Sequence, residues 1–122
     1  MSQRDSGYER KERDLYETPE WVSDALIPHL PFADFRVWEP ACGSGKMVRA
    51  LRKSGVSVAK FTDIDSGADF MAWDEAAAEV NAIITNPPYE LATEFCEHAL
   101  RLMEKRCGVV AMLLRTDFDH AK

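Results

Sequence analysis

The chain has 122 residues, with 21 acidic and 15 basic side chains and a formal net charge of −6. This length predicts a single domain with a core of moderate size. The longest apolar run, Val109 to Leu114, is too short to span a membrane. The acidic balance argues against a protein that holds nucleic acid by charge alone, because that affinity comes from lysine and arginine at phosphates.

The N-terminus has no apolar segment of the kind found in signal peptides. Basic residues in the first thirteen positions are offset by acidic ones, which predicts a flexible charged arm over residues 1–13 and one domain over residues 14–122. The three cysteines lack Cys-x-x-Cys spacing and the three histidines are scattered, so we expect neither a zinc site nor a disulfide framework. These features favour a cytoplasmic protein without membrane contact.

The first predicted elements surround a glycine turn. A helix is expected from Pro19 to Ile27, with Thr18 as its N-cap and Pro28 at its end. A strand from Phe35 to Trp38 follows, and a helix is expected from Lys46 to Ser54. The turn between them, residues 39–45, reads Glu-Pro-Ala-Cys-Gly-Ser-Gly, and its glycines allow backbone to approach a ligand closely. Strand, glycine turn and helix together indicate the start of a Rossmann-type unit.

A second strand, Val56 to Thr62, ends at an acidic turn formed by Asp63, Ile64 and Asp65. This turn lies about 20 residues beyond the glycine turn, the spacing at which an acidic side chain binds ribose hydroxyls in dinucleotide-binding folds. Both carboxylates are candidates for that role, and the sequence does not choose between them.

The remaining elements alternate between strand and helix. We expect a short third strand at 69–72, a helix at 74–79, a fourth strand at 82–85, a helix at 91–106 and a fifth strand at 109–114. His98 is expected at the packing boundary of the long helix. The alternation predicts an α/β fold with a parallel sheet covered by helices on both faces. Right-handed crossovers that reverse at the first strand give the order 3-2-1-4-5.

The stretch Asn86-Pro87-Pro88-Tyr89 follows the fourth strand and offers hydrogen-bond acceptors beside an aromatic ring. The amide oxygen of Asn86 and the carbonyl of Pro87 can accept hydrogen bonds from a planar amine, which holds the nitrogen closer to tetrahedral and directs its lone pair. Two prolines stiffen the loop, and the ring of Tyr89 offers a face on which a flipped-out base can stack.

The order of these motifs resembles that of S-adenosylmethionine-dependent amino-methyltransferases, particularly adenine-specific DNA methyltransferases of the short phage type. The resemblance implies a Rossmann-like methyltransferase fold, S-adenosylmethionine as cofactor and DNA as substrate. It implies that the catalytic residues are Asn86, Pro87, Pro88 and Tyr89. The residues that it implies for donor binding are Tyr16, Thr18, Pro19, Glu39, Ala41, Gly43, Gly45, Asp63, Ile64, Asp65, Asp69, Phe70 and Asn86. Of these, Asp69 corresponds to the side chain that binds the donor's adenine amino group, and Phe70 to the apolar residue that packs on its ring.

The sequence departs from the family after the fifth strand, where only residues 115–122 remain. We therefore expect a truncated methyltransferase domain that lacks the C-terminal strand pair, which puts DNA binding by this chain alone in doubt. Two alternatives stay open: a methyltransferase of an RNA base or a protein glutamine amide, and a non-catalytic relative that acts through a protein partner. An uncovered fifth strand further predicts a homodimer or a partner chain at its edge.

Overall fold

The computed structural model describes Leu26, Pro28 and residues 34–114. The charged arm, most of the predicted first helix and the residues after Leu114 lie outside this described part. The same holds for three predicted donor-binding residues, Tyr16, Thr18 and Pro19, and for the expected domain boundary at residue 14.

The described part contains a four-stranded parallel sheet. Its strands are β1 (Arg36–Glu39), β2 (Ser57–Phe61), β3 (Ala82–Thr85) and β4 (Val109–Met112). They lie side by side in the order β2-β1-β3-β4, and each neighbouring pair is parallel. The predicted α/β class and parallel sheet are therefore confirmed. Four of the five predicted strands are present, in the predicted relative order.

The predicted third strand at 69–72 is wrong, and with it the full order 3-2-1-4-5. The segment Phe70–Ala72 is a 3-10 turn instead. The carboxylate of Asp69 accepts a hydrogen bond from the Met71 N–H at 3.0 Å, and the Ala72 N–H donates to the Asp69 carbonyl at 2.9 Å. These local bonds satisfy the backbone within the turn, which removes the groups that a strand would use for pairing.

Within residues 34–114, two α-helices cover the sheet: α1 (Lys46–Lys53) and α2 (Ala92–Glu104). Both match predicted helices to within two residues at each end. The helix predicted at 74–79 is absent, and bends and turns occupy that segment. Six residues are too few for an independent helix. The Arg106 guanidinium binds the carbonyls of Ala76, Ala77 and Val80 from outside the segment, at 2.6 to 3.1 Å.

The core consists of two clusters on opposite faces of the sheet. On the α1 face, Val37, Ala82 and Ile84 pack against the buried side of the helix. On the α2 face, Trp38 and Ile83 pack with a group of aromatic and aliphatic side chains that includes Phe70, Phe95, Ala99, Leu102 and Met103. Alternate residues of the central strands β1 and β3 thus point to opposite covered faces, as a parallel sheet requires.

The outer strand β4 is only partly covered. Its continuous apolar run is typical of a strand with both faces covered, and residues 109–114 are all partly exposed. Val110 and Met112 contact the α2-face cluster, and Val109 and Ala111 contact the α1-face cluster. Both faces of β4 are therefore in contact with the core, but the strand lies at the edge of the described sheet. Among the described residues, no helix is long and apolar enough to cross a membrane.

Candidate functional site

Three loops that carry candidate residues meet at one edge of the sheet. They follow the carboxyl ends of β1, β2 and β3, which are neighbours in the order β2-β1-β3. After β1 the chain crosses over to β2 on one side of it, and β3 lies on the other side of β1. The strand order therefore reverses at β1, which makes its carboxyl end the switch point of the sheet. Crevices at such points are the usual ligand sites of open parallel sheets. The glycine turn, the acidic turn and the Asn-Pro-Pro-Tyr loop are thus adjacent.

The buried carboxylate of Asp63 joins the first two loops. One oxygen, Oδ1, accepts from the Gly43 N–H at 3.0 Å, and the other, Oδ2, accepts from the Asp65 N–H at 3.1 Å. Asp63 is 4% exposed. Its backbone carbonyl also accepts from the Ser66 hydroxyl and the Ala68 N–H. Asp63 therefore fixes the glycine turn against the acidic turn.

Asp65 differs from Asp63 in its position. It lies in the 3-10 turn Ile64–Ser66, and its side chain is exposed. The Ile64 side chain between them is 1% exposed and packs in the α2-face cluster, so only its backbone can face a ligand. Of the two carboxylates that the sequence left open, Asp63 is enclosed and engaged with backbone, whereas Asp65 is accessible.

The glycine turn is shaped by Glu39 and by bonds to β2. The buried Glu39 carboxylate accepts from the Ala41 N–H at 3.0 Å. The pairing of β1 with β2 continues into the loop, because the Thr62 N–H donates to the Glu39 carbonyl and the Cys42 N–H donates to the Thr62 carbonyl, both at 2.9 Å. Glu39 and Ala41 are therefore structural members of the loop.

Glycine is required at two positions of this turn. Gly43 has φ of 55° and Gly45 has φ of 93°, in the left-handed region that other residues rarely adopt. Gly45 immediately precedes α1, and a Cβ there would lie 3.2 Å from a nitrogen of the Arg49 side chain. The two glycines let the chain reverse from β1 into α1 while its backbone stays uncovered by a side chain.

Asp69 and Phe70 begin the 3-10 turn that lies beyond the acidic turn. Asp69 is partly buried and caps its own turn. The Phe70 ring is fully buried, with ring centroids of Trp38 at 5.3 Å and of Phe95 and His98 at 4.8 Å. A ligand at this turn would meet its backbone and the Asp69 carboxylate, because protein side chains already surround the Phe70 ring.

The Asn-Pro-Pro-Tyr loop leads from β3 directly into α2. Pro87 and Pro88 are buried, Asn86 is partly buried, and Tyr89 is 47% exposed. Tyr89 starts a 3-10 turn, Tyr89–Leu91, that continues into the helix. The buried prolines hold the loop, and the exposed tyrosine leaves a ring surface accessible at the site edge.

His98 lies in the core and not at a packing boundary, so that expectation is wrong. It is 2% exposed, and its ring stands nearly perpendicular to that of Phe70. The Arg101 guanidinium contacts Nδ1. Since a guanidinium only donates, Nδ1 is an acceptor and the neutral ring carries its proton on Nε2. Burial, and then the charge of Arg101, lower the pKa of His98, and the backbones of Trp73 and Phe70 and the Asp69 charge oppose this more weakly.

Sequence reasoning missed the pairing of His98 with Arg101. The available signal was their spacing of three residues on a predicted helix, which places them on one face. Cys42, Cys96 and Cys107 form no disulfide bond with one another. Burial, with a smaller contribution from Glu97, raises the pKa of the Cys96 thiol. Within residues 34–114, no group of three or more metal-ligating side chains is close enough to hold a metal ion.

A concave region lies at the opposite, amino edge of the sheet. This cavity of about 410 Å³ is lined by Arg36, Asn81, Arg106 and neighbouring residues of the 74–80 segment. It contains none of the candidate residues described above. The sequence matches no protein-family model, and no curated protein is significantly similar to it.

Proposed function

We propose that this protein binds S-adenosylmethionine and transfers its methyl group to the exocyclic amine of adenine in DNA. The observation that carries the proposal is the position of Asn86-Pro87-Pro88-Tyr89 at the end of β3, next to the glycine turn that ends β1. The two loops are thus neighbours at the switch point of the sheet. One offers hydrogen-bond acceptors for an amine, and the other leaves its backbone open to a ligand.

The residues present fit the donor. The left-handed glycines at 43 and 45 leave room for close approach to the backbone. The exposed Asp65 carboxylate can accept from two ribose hydroxyls, while Asp63 positions the two loops. Asp69 can accept from an adenine amino group. When bound, the donor supplies an electrophilic methyl group on sulfur.

The amine is addressed by the loop after β3. Asn86 and the Pro87 carbonyl accept its two N–H groups, which draws the nitrogen out of conjugation and directs its lone pair toward the methyl group. The half-exposed ring of Tyr89 stacks on the base that carries the amine. The buried prolines keep both acceptors in place before the substrate arrives.

A second candidate is a non-catalytic protein that works through a partner, and the position of β4 favours it. This strand lies at the edge of the described sheet with its apolar residues partly exposed. An edge strand without charge or proline is a template for pairing with another chain.

Methyl transfer from labelled S-adenosylmethionine onto DNA, RNA and protein fractions in parallel tests the proposal. We expect transfer to DNA, with label on adenine. Replacement of Asn86 by alanine should lower the rate on the order of 100-fold and leave donor affinity nearly unchanged. Transfer only to RNA or to glutamine amides would reassign the acceptor. Donor binding without any transfer would favour the non-catalytic candidate.

A further inference from the structure

Basic residues are concentrated in one segment of this acidic chain. Residues 44–62 contain five lysines and arginines and no aspartate or glutamate, in a protein with a formal net charge of −6. The basic residues of this segment are Lys46, Arg49, Arg52, Lys53 and Lys60. The overall charge therefore conceals a strong local asymmetry of the kind that marks an anion-binding surface.

The fold places four of these residues together. Helix α1 buries Met47, Val48, Ala50 and Leu51 against the sheet, and its four basic residues are exposed on the opposite side. Lys60, on the neighbouring edge strand β2, lies on the other face of the sheet, where its ammonium is 5.0 Å from the centroid of the Trp73 ring. We call the four basic residues of α1 the basic face. Eight helical residues give it a length of about 12 Å.

The two arginines of the basic face are held by neutral groups. Arg49 donates to the Ser44 carbonyl at 2.9 Å. Arg52 donates to the Val58 carbonyl at 3.0 Å, and its guanidinium lies 5.3 Å from the centroid of the half-exposed Phe61 ring. These contacts orient the guanidinium groups without cancelling their charge, and each group retains donors for a further acceptor.

We propose that the basic face is a docking surface for the phosphate backbone of DNA, separate from the site that addresses the target amine. Side chains three and four residues apart on a helix are about 5–6 Å apart, which suits successive phosphates. The arginine fork also matches phosphate geometry. The inference rests on the proposed function for its choice of DNA over other polyanions. The basic face would supply contacts to DNA phosphates, which a formal net charge of −6 alone does not predict.

The test measures DNA binding directly, without donor or turnover, so its result is independent of methyl transfer. A labelled duplex of about 20 base pairs is titrated by fluorescence anisotropy from about 50 to 200 mM salt. Four phosphate contacts predict a slope of log affinity against log salt of roughly −4. Lys53→Gln should flatten the slope by about 0.9 and weaken binding roughly tenfold near 0.1 M salt.

Lys105→Gln is the matched control, because Lys53 and Lys105 are both exposed lysines at the carboxyl end of a helix. It should change affinity less than twofold, and circular dichroism confirms that both variants fold. Equal effects of the two replacements would overturn the location of the docking surface. So would failure of the wild type to bind the duplex. Equally tight binding of polyglutamate or of phosphatidylserine vesicles would overturn the assignment to DNA.

Discussion

Replacement of Asp63 by asparagine distinguishes the role of the Asp63 carboxylate from that of Asp65. In the wild type, one Asp63 oxygen accepts from the Gly43 N–H and the other from the Asp65 N–H, at 3.0 and 3.1 Å. Asparagine retains one acceptor and turns an NH2 group toward the second N–H. A hydrogen bond to a charged group contributes about 1.5–3 kcal/mol, and the site is 4% exposed, so water cannot easily replace it. We expect the free energy of unfolding to fall by about 2 kcal/mol.

Urea denaturation followed by circular dichroism measures this loss, which corresponds to a midpoint shift of roughly 1 M at an m-value of about 2 kcal/mol/M. Asp65→Asn is the control, since its side chain is exposed and should change stability by less than about 0.5 kcal/mol. Asp65→Asn should nevertheless weaken donor binding roughly tenfold, by loss of one charged hydrogen bond. An unchanged midpoint for Asp63→Asn would refute the bracing role. Donor affinity that depends on Asp63 with no change in stability would reverse the two roles.

The stability of the protein should depend on pH through His98. Because the pKa of His98 is lowered in the folded protein, the unfolded chain takes up a proton at this residue more readily than the folded protein does. Stability should be full above about pH 6.5 and fall below it by at most about 1.4 kcal/mol per pH unit, and His98→Gln should flatten that fall in urea titrations at each pH. Arg106→Ala should cost about 2–4 kcal/mol through loss of three carbonyl contacts, whereas an equal loss in Lys105→Ala would contradict this cause. Sedimentation should detect self-association through β4, and a stable monomer at high concentration would count against it.

The sequence predicted those elements whose signal is local. The apolar run Ala82–Thr85 is a strand with the predicted bounds. The two segments with helical periodicity, Lys46–Lys53 and Ala92–Glu104, form the expected helices. The two failures, at 69–72 and 74–79, depend on side-chain hydrogen bonds that a pattern of apolar residues does not record. The Asp69 cap replaces strand pairing, and Arg106 lies 26 to 30 residues from the carbonyls that it binds. Composition alone does not reveal such partners.

The candidate site shows the same division. Motif order placed the glycine turn, the acidic turn and the Asn-Pro-Pro-Tyr loop at one sheet edge, because parallel strands bring their carboxyl ends together. It did not distinguish Asp63 from Asp65, since that difference lies in burial. It gave no indication that three aromatic rings surround the Phe70 ring, because those rings belong to residues distant in the sequence. Net charge likewise gave no indication of the basic face, because a sum over the chain does not record where the charges lie.

Isothermal titration calorimetry of the purified protein with S-adenosylmethionine, and with its demethylated product, tests the central claim most directly. We predict one site per chain for both compounds, with affinity reduced by Asp65→Asn and nearly unchanged by Asn86→Ala. Absence of binding for both compounds, or binding of ATP or a nicotinamide dinucleotide in their place, would contradict the account.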